Sequence, residues 1–292
     1  MKNLKKLFAL TTALLLLLTG CSNTTNSDST NNATAETSTD KTALESILDS
    51  GVLVVATSPD YPPMEYLDEN QDPIGSDISL ANYIAEQLGV TLKIETMDFS
   101  GTLTAVDTGK VDLAISGFGW KEDRAESYEL SIGYNNTEGA ESTCHTILIK
   151  KEDYDKYKSL DDFKGTTIAA QSASLQEMYV NDQIEDVTIE IVQQIDQGVL
   201  ALQSGKVQGL ALSCDIAKGY GNTMDDTIVA DVLFDLSIYD DYSGNVIAAK
   251  KGETDLIEKI NEILKEVNES GKFEVWHADA KTKAKELGIE FE

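Results

Sequence analysis

The chain has 292 residues and carries 51 Asp and Glu against 23 Lys and Arg, which gives a formal net charge of −28 at pH 7. This balance disfavours nucleic acid as a partner, and it disfavours docking of the folded part on anionic lipid, because both rely on Lys and Arg contacting phosphates. A high acidic charge favours solubility and does not specify a fold.

Residues 1–20 have the pattern of a secretory signal peptide. Three lysines come first, and the apolar run Leu7–Leu18 that follows is shorter than the about 20 residues that span a bilayer. The run ends in Leu18-Thr19-Gly20-Cys21, which resembles the bacterial lipobox, whose cysteine receives a diacylglycerol group and becomes the first residue of the mature chain. The alternative is an ordinary signal peptide with an incidental cysteine.

Residues 21–42 form a predicted flexible tether. They are rich in Ser, Thr and Asn and have too little apolar surface to offset the entropy cost of ordering. Two or more acyl chains on Cys21 would anchor the chain stably, so we expect it at the extracytoplasmic face of the cell membrane, on a Gram-positive cell surface. About 250 residues remain for the folded part, which is one large domain or two modest ones.

The folded part contains an internal repeat. Three pairs of segments match in the same order: Gly51–Ser58 with Gly165–Ser172, Val90–Gly101 with Val187–Gly198, and Gly109–Asp112 with Gly205–Gln208. Each half alternates strands and helices, which predicts parallel βαβ units in a mixed α/β fold. Ligands bind outside the carboxyl ends of such strands, so two halves that face each other predict a cleft between them.

The first half predicts three strands and two helices. Val52–Ala56 is a short apolar run typical of a strand that is buried on both faces. The helix that follows has Asp77 as its candidate cap and Gly89 as its stop. The remaining elements are a strand over Leu92–Ile94, a helix over Leu103–Thr108 and a strand over Val111–Ile115.

The second half repeats this order. Ile168–Ala170 is its first strand, and Ser174–Glu177 is a capping-box pattern that opens a helix. The later elements are strands over Ile189–Val192 and Val207–Leu212, a helix over Val199–Gln203, a strand over Val246–Ala249 and an apolar helical stripe from Leu256 to Val267. No third strand–helix unit follows, so we expect this tail to return to the first lobe.

Six segments between residues 43 and 276 carry a family resemblance. They are Asp60–Glu65, Gly75–Leu80, Asp98–Gly101, Gly109–Leu113, Ile115–Gly117 with Arg124-Ala125, and Ser159–Gly165. Their order and spacing together resemble the polar-amino-acid type of extracytoplasmic solute-binding proteins, family 3. The resemblance implies a two-lobed, periplasmic-binding-protein-like (type II) α/β fold with hinge strands and a central cleft.

The resemblance also implies an organisation and a function. Lobe 1 would comprise residues 43–141 plus 242–292 and lobe 2 residues 142–241, with hinge crossings near Thr137–Ser142 and Tyr239–Ser243. The expected protein is not an enzyme but the substrate-binding subunit of an ABC importer. It would close over an amino acid or a related small carboxylate and deliver it to a membrane permease. We expect a monomer without a cofactor.

Arg124 is the only arginine in the chain. Its planar guanidinium can hold a carboxylate through two parallel hydrogen bonds, which Lys cannot reproduce. In the family, this position grips the ligand's carboxylate. The alternative is a solvated arginine at a helix start in a lysine-biased sequence.

Further ligand contacts are expected around Arg124. Tyr61 and Phe99 are candidate walls for the ligand's side chain, with core packing as the alternative for each. The family resemblance implies contacts to the ligand's charged ends from Ser116 and from the backbone of Gly117.

The start of the helix that opens the second half is a further candidate. The free N–H groups behind Ser174 favour an anion in the cleft, and Ser172 adds a hydroxyl. A plain N-cap role for Ser174 is compatible with this function.

Two positions depart from the family pattern. Gly119 stands where the family commonly has Ser or Thr, so one side-chain contact is lost. The family's acidic partner for the ligand's α-ammonium falls on Ser213. A buried ammonium needs a partner, so either Asp215 or another acid supplies it, or the ligand lacks an α-amino group. The other candidate acids are Asp60, Asp240 and Asp241.

Cys144 and Cys214 are the remaining cysteines. They sit in different halves of the chain, which favours free, buried thiols, although one disulfide is also compatible with the sequence.

Three other classes of function are weighed. An enzyme of the same fold, such as a dehydratase, is one alternative, with His145 and His277 as the near-neutral acid–base groups. His145 is adjacent to Cys144, and neighbours on a strand point to opposite faces, so they form no Cys–His pair. A stand-alone ligand sensor is the second alternative. For a metal site, Asp68–Asp72 has alternating oxygens, but Pro73 stands where a calcium loop needs Gly, so a hairpin turn and no metal are predicted.

Overall fold

The strands of the computed structural model lie in two five-stranded sheets and one small three-stranded sheet. The structure describes residues 41–135, 144–239 and 244–289. In these ranges the strands are β1 (Val52–Thr57), β2 (Asp60–Tyr61), β3 (Glu65–Leu67), β4 (Pro73–Ile74), β5 (Thr91–Thr96), β6 (Leu113–Ala114), β7 (Tyr128–Leu130), β8 (His145–Lys150), β9 (Thr167–Gln171), β10 (Thr188–Val192), β11 (Gly209–Ser213), β12 (Thr227–Val229) and β13 (Ala248–Lys250).

The helices cover the faces of these sheets. They are α1 (Ala43–Ser50), α2 (Ser76–Leu88), α3 (Phe99–Asp107), α4 (Glu122–Ser127), α5 (Leu175–Gln183), α6 (Ile195–Gln203), α7 (Cys214–Thr223), α8 (Thr254–Ser270) and α9 (Lys272–Glu286), with short 3₁₀ turns at Lys151–Asp153 and Leu160–Phe163. Lys41–Glu292 form one compact unit.

The two large sheets share one design. Their strand orders are β5-β1-β6-β13-β7 and β10-β9-β11-β8-β12. In each, the first three strands are parallel and the last two pair antiparallel to their neighbours. The predicted α/β class is therefore confirmed, and the sequence repeat corresponds to a repeat of strand order. We call the parts of the chain built on these two sheets the first and the second lobe.

The C-terminal part packs on the first sheet. β13 lies between β6 and β7. The predicted apolar stripe of α8 is buried throughout, and it packs into the same core as Leu53, Val55 and Leu113: Leu256, Ile257, Ile260, Ile263, Leu264 and Val267. Each such side chain contributes about 1.5–3 kcal/mol of burial energy, which fastens the tail to the first lobe.

Three local expectations differ from the structure. The strand predicted over Val111–Ile115 is reduced to β6, because it pairs with β1 at two positions. Asp77 does not cap α2, whose N-cap is Gly75; its carboxylate instead accepts a hydrogen bond from the Gly117 amide at 2.8 Å. Helix α9 was not predicted, because few of its residues are apolar and buried.

The expectation of free thiols is wrong, because Cys144 and Cys214 form a disulfide with a Cα–Cα distance of 5.4 Å. The two residues flank paired strands of the second sheet, since Cys144 directly precedes β8 and Cys214 directly follows β11. β11 pairs antiparallel with β8, with Ser213 opposite His145, so the start of one strand meets the end of the other. The disulfide therefore fixes the start of α7 to the start of β8.

Several predictions concern parts of the chain outside the described residues. These are the signal peptide, the tether with Cys21, the first hinge crossing and nearly all of the second. The lobe boundaries at 141 and 241 fall in the same gaps and stay predictions. Among the described helices, none combines the length and the apolar character that a bilayer span requires.

Candidate ligand-binding cleft

A cavity of about 410 Å³ lies between the two lobes. Its lining includes nine of the ten predicted ligand-binding residues: Tyr61, Phe99, Ser116, Gly117, Gly119, Arg124, Ser174, Ser213 and Asp215. Ser172 is not part of the lining; its amide donates to the Val192 carbonyl at 2.8 Å and extends the pairing of β9 with β10. The carboxyl ends of parallel strands from both sheets meet at this cavity, as expected for the fold.

Arg124 lies in α4 with only 2% of its surface exposed. Its Nη1 donates to the Gly119 carbonyl, and its Nη2 donates across the cleft to the Ala173 carbonyl at 2.8 Å. The guanidinium carbon is 5.0 Å from the centre of the Phe118 ring. Burial lowers the pKa of Arg124 to about 10, so the group is charged at neutral pH.

The charge of Arg124 has no anionic partner among the described residues. No carboxylate there forms an ion pair with it, and its Nε is buried without an acceptor. A buried charge is costly unless it is paired. The site is therefore suited to an anionic group that supplies the missing acceptors.

Ser116 and Gly117 form a loop directly after β6 that we call the ligand loop. Ser116 Oγ donates to Glu65 Oε1 at 3.0 Å and accepts from the Ser58 amide at 3.0 Å. The Gly117 amide donates to Asp77. Gly117 has φ +57°, and a Cβ atom there would lie 3.1 Å from the Tyr61 ring, so the turn requires glycine. The Ser116 hydroxyl and the Gly117 amide thus donate within the protein, which leaves oxygen lone pairs of the loop for a ligand.

Two helix starts face the cavity from the second lobe. Ser174 caps α5 by accepting from the Glu177 amide at 3.1 Å, and the Glu177 carboxylate accepts from the Ala173 amide at 2.6 Å. Ser213 precedes α7, and its buried hydroxyl finds no partner among the described residues. Asp215 lies in the first turn of the same helix. Ser213 is thus available to a ligand from the position where the family has an acid.

The aromatic candidates contact both the cavity and the core. Phe99 packs on Phe118 with ring centres 4.6 Å apart. Tyr61 packs against apolar clusters of both lobes. Core packing and a role as cavity wall are thus combined in these two residues.

Asp60 bonds across the cleft and does not line the cavity. Its Oδ2 accepts from Gln171 Nε2 at 2.8 Å and from the Ile195 amide at 3.0 Å, both in the second lobe. Burial raises its pKa, although these hydrogen bonds oppose the shift. Asp60 is therefore occupied by an inter-lobe contact rather than available to an ammonium group. The other two candidate acids, Asp240 and Asp241, lie outside the described residues.

Sequence reasoning missed several polar cavity residues: Asn135, Gln171, Gln176, Asn245 and Lys281. His145 and His277, considered only as enzyme groups, also line the cavity. His145 Nδ1 is 3.0 Å from Gln176 Nε2, and His277 Nδ1 is 3.2 Å from Ser76 Oγ. Burial lowers the pKa of each histidine to about 4, so both are neutral at pH 7. The described residues contain no cluster of metal-ligating side chains.

Known proteins resemble the chain along most of its length. The arginine-binding extracellular protein ArtP of Bacillus subtilis is 29% identical over 224 residues, which is 76% of this chain and 83% of that protein. The L-cystine-binding protein TcyJ of Escherichia coli is 22% identical, over 80% of this chain and 83% of that protein.

Solved structures resemble the fold. A crystal structure of an amino acid ABC transporter substrate-binding protein from Streptococcus pneumoniae, bound to L-arginine, has a TM-score of 0.72 at 31% identity and covers 82% of this chain and 98% of that one. An ancestral amino acid-binding protein, a precursor of cyclohexadienyl dehydratase, has a TM-score of 0.67 at 24% identity over 81% of this chain and 98% of that one, which shows the fold alone. The predicted type II periplasmic binding fold is confirmed.

Residues 53–278 match the family described as bacterial extracellular solute-binding proteins, family 3. This match covers more than half of the chain and includes both sheets, except Val52, and the cavity lining, except Lys281. The chain belongs to family 3 of the bacterial extracellular solute-binding proteins.

Proposed function

We propose that this protein is the lipid-anchored, substrate-binding subunit of an ABC importer and that it captures an α-amino acid by closure of its two lobes. The observation that carries the proposal is Arg124, a buried guanidinium with no carboxylate partner among the described residues, at a cavity lined by both lobes. A ligand carboxylate supplies the acceptors that this group lacks.

The rest of the cavity supports a ligand that also carries a positive group. Asp215 lies on its wall, the Ser213 hydroxyl is unpaired among the described residues, and the ligand loop offers lone pairs. Relatives named for arginine and cystine binding are in keeping with an α-amino acid. The lobes would close because a ligand that touches both binds the closed state more tightly. His145 and His277 line the cavity, but the relatives compared above are named as binding proteins, which favours binding over the dehydratase alternative.

A thermal-shift panel tests the proposed ligand class. The compounds are L-arginine, L-cystine, L-glutamine, succinate, and agmatine, which is arginine without its carboxylate. We expect at least one amino acid to stabilise the protein by about 2.7 kcal/mol at a concentration of about 100 Kd, because it binds the folded state alone. Agmatine should give no shift. Stabilisation by agmatine equal to that by arginine, or turnover of any compound, would contradict the proposal.

A further inference from the structure

Two fully buried carboxyl groups lie directly behind the ligand loop. Glu65 comes from β3 and Asp77 from the first turn of α2, and both have 0% exposure. Glu65 Oε1 accepts from the Ser116 hydroxyl at 3.0 Å. Asp77 Oδ2 accepts from the Gly117 amide and from the Tyr134 hydroxyl, each at 2.8 Å. The Ser116 hydroxyl and the Gly117 amide therefore both end on this pair.

The remaining oxygen of each carboxyl group is buried, and neither Glu65 Oε2 nor Asp77 Oδ1 has a donor among the described residues. Both groups lie close to Gly117: its amide donates to Asp77 Oδ2 at 2.8 Å, and a Cβ atom there would lie 3.7 Å from Glu65 Oε1. A hydrogen bond between two carboxyl groups needs a proton, because an ionised carboxyl group is only an acceptor. One proton on Glu65 would supply that donor.

The surroundings favour a single proton. Burial and the charge of Asp77 raise the pKa of Glu65 well above its ordinary value, and burial raises the pKa of Asp77 to about 6. Asp60 on β2 adds further negative charge, the Tyr134 hydroxyl faces Asp77, and His277 of α9 packs nearby as a neutral ring. None of the described Lys, Arg or His residues forms an ion pair with either carboxyl group. Adjacent buried carboxyl groups without a cation do not ionise together.

We propose that Glu65 and Asp77 hold one proton between them and that this pair positions the ligand loop. The pair fixes the direction of the Ser116 hydroxyl and the Gly117 amide, so the lone pairs of the loop are left for the ligand. It also places one negative charge behind the loop, on the side where a ligand ammonium would lie. The proposal rests on the proposed function only in taking Ser116 and Gly117 as ligand contacts.

The pair gives the protein a defined pH dependence. The folded-state pKa of Glu65 is above its unfolded value, so the folded state holds the proton more tightly than the unfolded state does. The proton on Glu65 therefore stabilises the folded state at low pH. This stabilisation is lost as the pH rises through the pKa of Glu65 in the folded state. Above that pKa two charges face each other, the loop loses its support, and ligand affinity falls with stability.

Infrared spectroscopy of the ligand-free protein tests the shared proton directly. At neutral pH we expect a band from a protonated, buried carboxyl group that is absent from Glu65→Gln. Glu69→Gln is the matched control, because Glu69 is an exposed carboxyl group on the same hairpin. A spectrum in which Glu65→Gln removes no such band would overturn the proposal.

The positioning role is tested by the ratio of L-arginine affinity at pH 7 to that at pH 10. This ratio should be larger in the wild type than in Glu65→Gln, because affinity falls as the pair loses its proton and the variant has no such proton to lose. The ligand's own ammonium titrates equally in both proteins. Equal ratios overturn the positioning role. If L-arginine does not bind at all, arginine is not a ligand of this protein. The proposal that Glu65 and Asp77 share a proton is then tested by the infrared band and by the pH dependence of Tm.

Discussion

At the scale of single residues, Arg124 illustrates a binding residue whose charge has no anionic partner among the described residues. Its two terminal nitrogens donate to the Gly119 and Ala173 carbonyls, which are neutral. The neighbouring Asp123 side chain is instead paired with Lys121 at 3.1 Å. The buried positive charge thus has no ion-pair partner among the described residues, and an incoming carboxylate would supply one.

We expect Arg124→Lys to weaken binding of the best ligand of the panel about 100-fold, or about 2.7 kcal/mol. Lysine keeps the charge but loses the fork that holds a carboxylate through two bonds. Isothermal calorimetry measures the change, and a thermal melt of the ligand-free variant checks that it folds. Lys110→Arg, the reverse exchange at an exposed position, is the control and should bind like the wild type. Unchanged affinity in Arg124→Lys would remove Arg124 from the site.

Sequence reasoning found the cavity residues that stand out by type or by position after a strand. Arg124 is unique in the chain, and Ser116 and Gly117 follow a predicted strand. Gln176 and Asn245 carry no such signal, because Gln and Asn are common on any surface. Glu65 was noted only as part of a motif, and Asp77 as part of a motif and as a candidate helix cap. Nothing in a chain with 51 acidic residues marks two of them as buried together.

At the scale of elements, the N-terminus of α6 is capped by a residue of the opposite lobe. Its N-cap residue, Gln194, makes no side-chain capping bond. The carboxylate of Asp60, on β2 of the first lobe, accepts from the amide of Ile195, the first residue of the helix. An acidic group at a helix N-terminus is favourable both as a hydrogen-bond acceptor and through the helix dipole. If the lobes move apart as proposed, this contact breaks, so we expect it to stabilise the closed arrangement.

We expect Asp60→Ala to weaken ligand binding about fivefold, the effect of losing about 1 kcal/mol of capping energy from the closed state. The ligand-free variant should also have a larger radius of gyration in small-angle X-ray scattering. Asp68→Ala is the matched control, since Asp68 accepts from the Asn70 and Asp72 amides within one hairpin turn. Wild-type affinity and radius in Asp60→Ala would show that the contact does not govern closure.

The predicted elements were most accurate where burial leaves a clear pattern, either an apolar stripe along a helix or a continuous apolar run in a strand. The α8 stripe and the strand start at Val52 agree with the structure. Elements shaped by pairing partners were less predictable, as in β6, whose length is set by its short contact with β1. The disulfide was missed for the same reason, because its geometry depends on the antiparallel pairing of β8 with β11, which sequence spacing does not reveal.

At the scale of the whole molecule, the repeat in the sequence predicted two similar halves and the structure contains two sheets with one strand order. The two sheets differ in the part of the sequence that supplies the antiparallel fourth strand. In the second sheet this strand, β8, precedes the βαβ unit, whereas in the first sheet β13 comes from the tail. A chain that leaves the first lobe and later returns to it must cross between lobes twice. The hinge crossings predicted near Thr137–Ser142 and Tyr239–Ser243 lie almost entirely outside the described residues and stay predictions.

The charge and the N-terminal segment together predict how the protein is held at the cell surface. The folded part has no electrostatic attraction to anionic lipid, because acidic residues outnumber basic ones by 51 to 23 in the whole chain. Membrane association should therefore depend on the lipid on Cys21. In bacteria that express the full chain, we expect Cys21→Ser to move the protein from the membrane pellet to the soluble extracytoplasmic fraction, as followed by immunoblot. Ser22→Ala should stay in the pellet. Retention of Cys21→Ser in the pellet would mean that an uncleaved apolar segment or another contact holds the protein, and the lipoprotein assignment would be wrong.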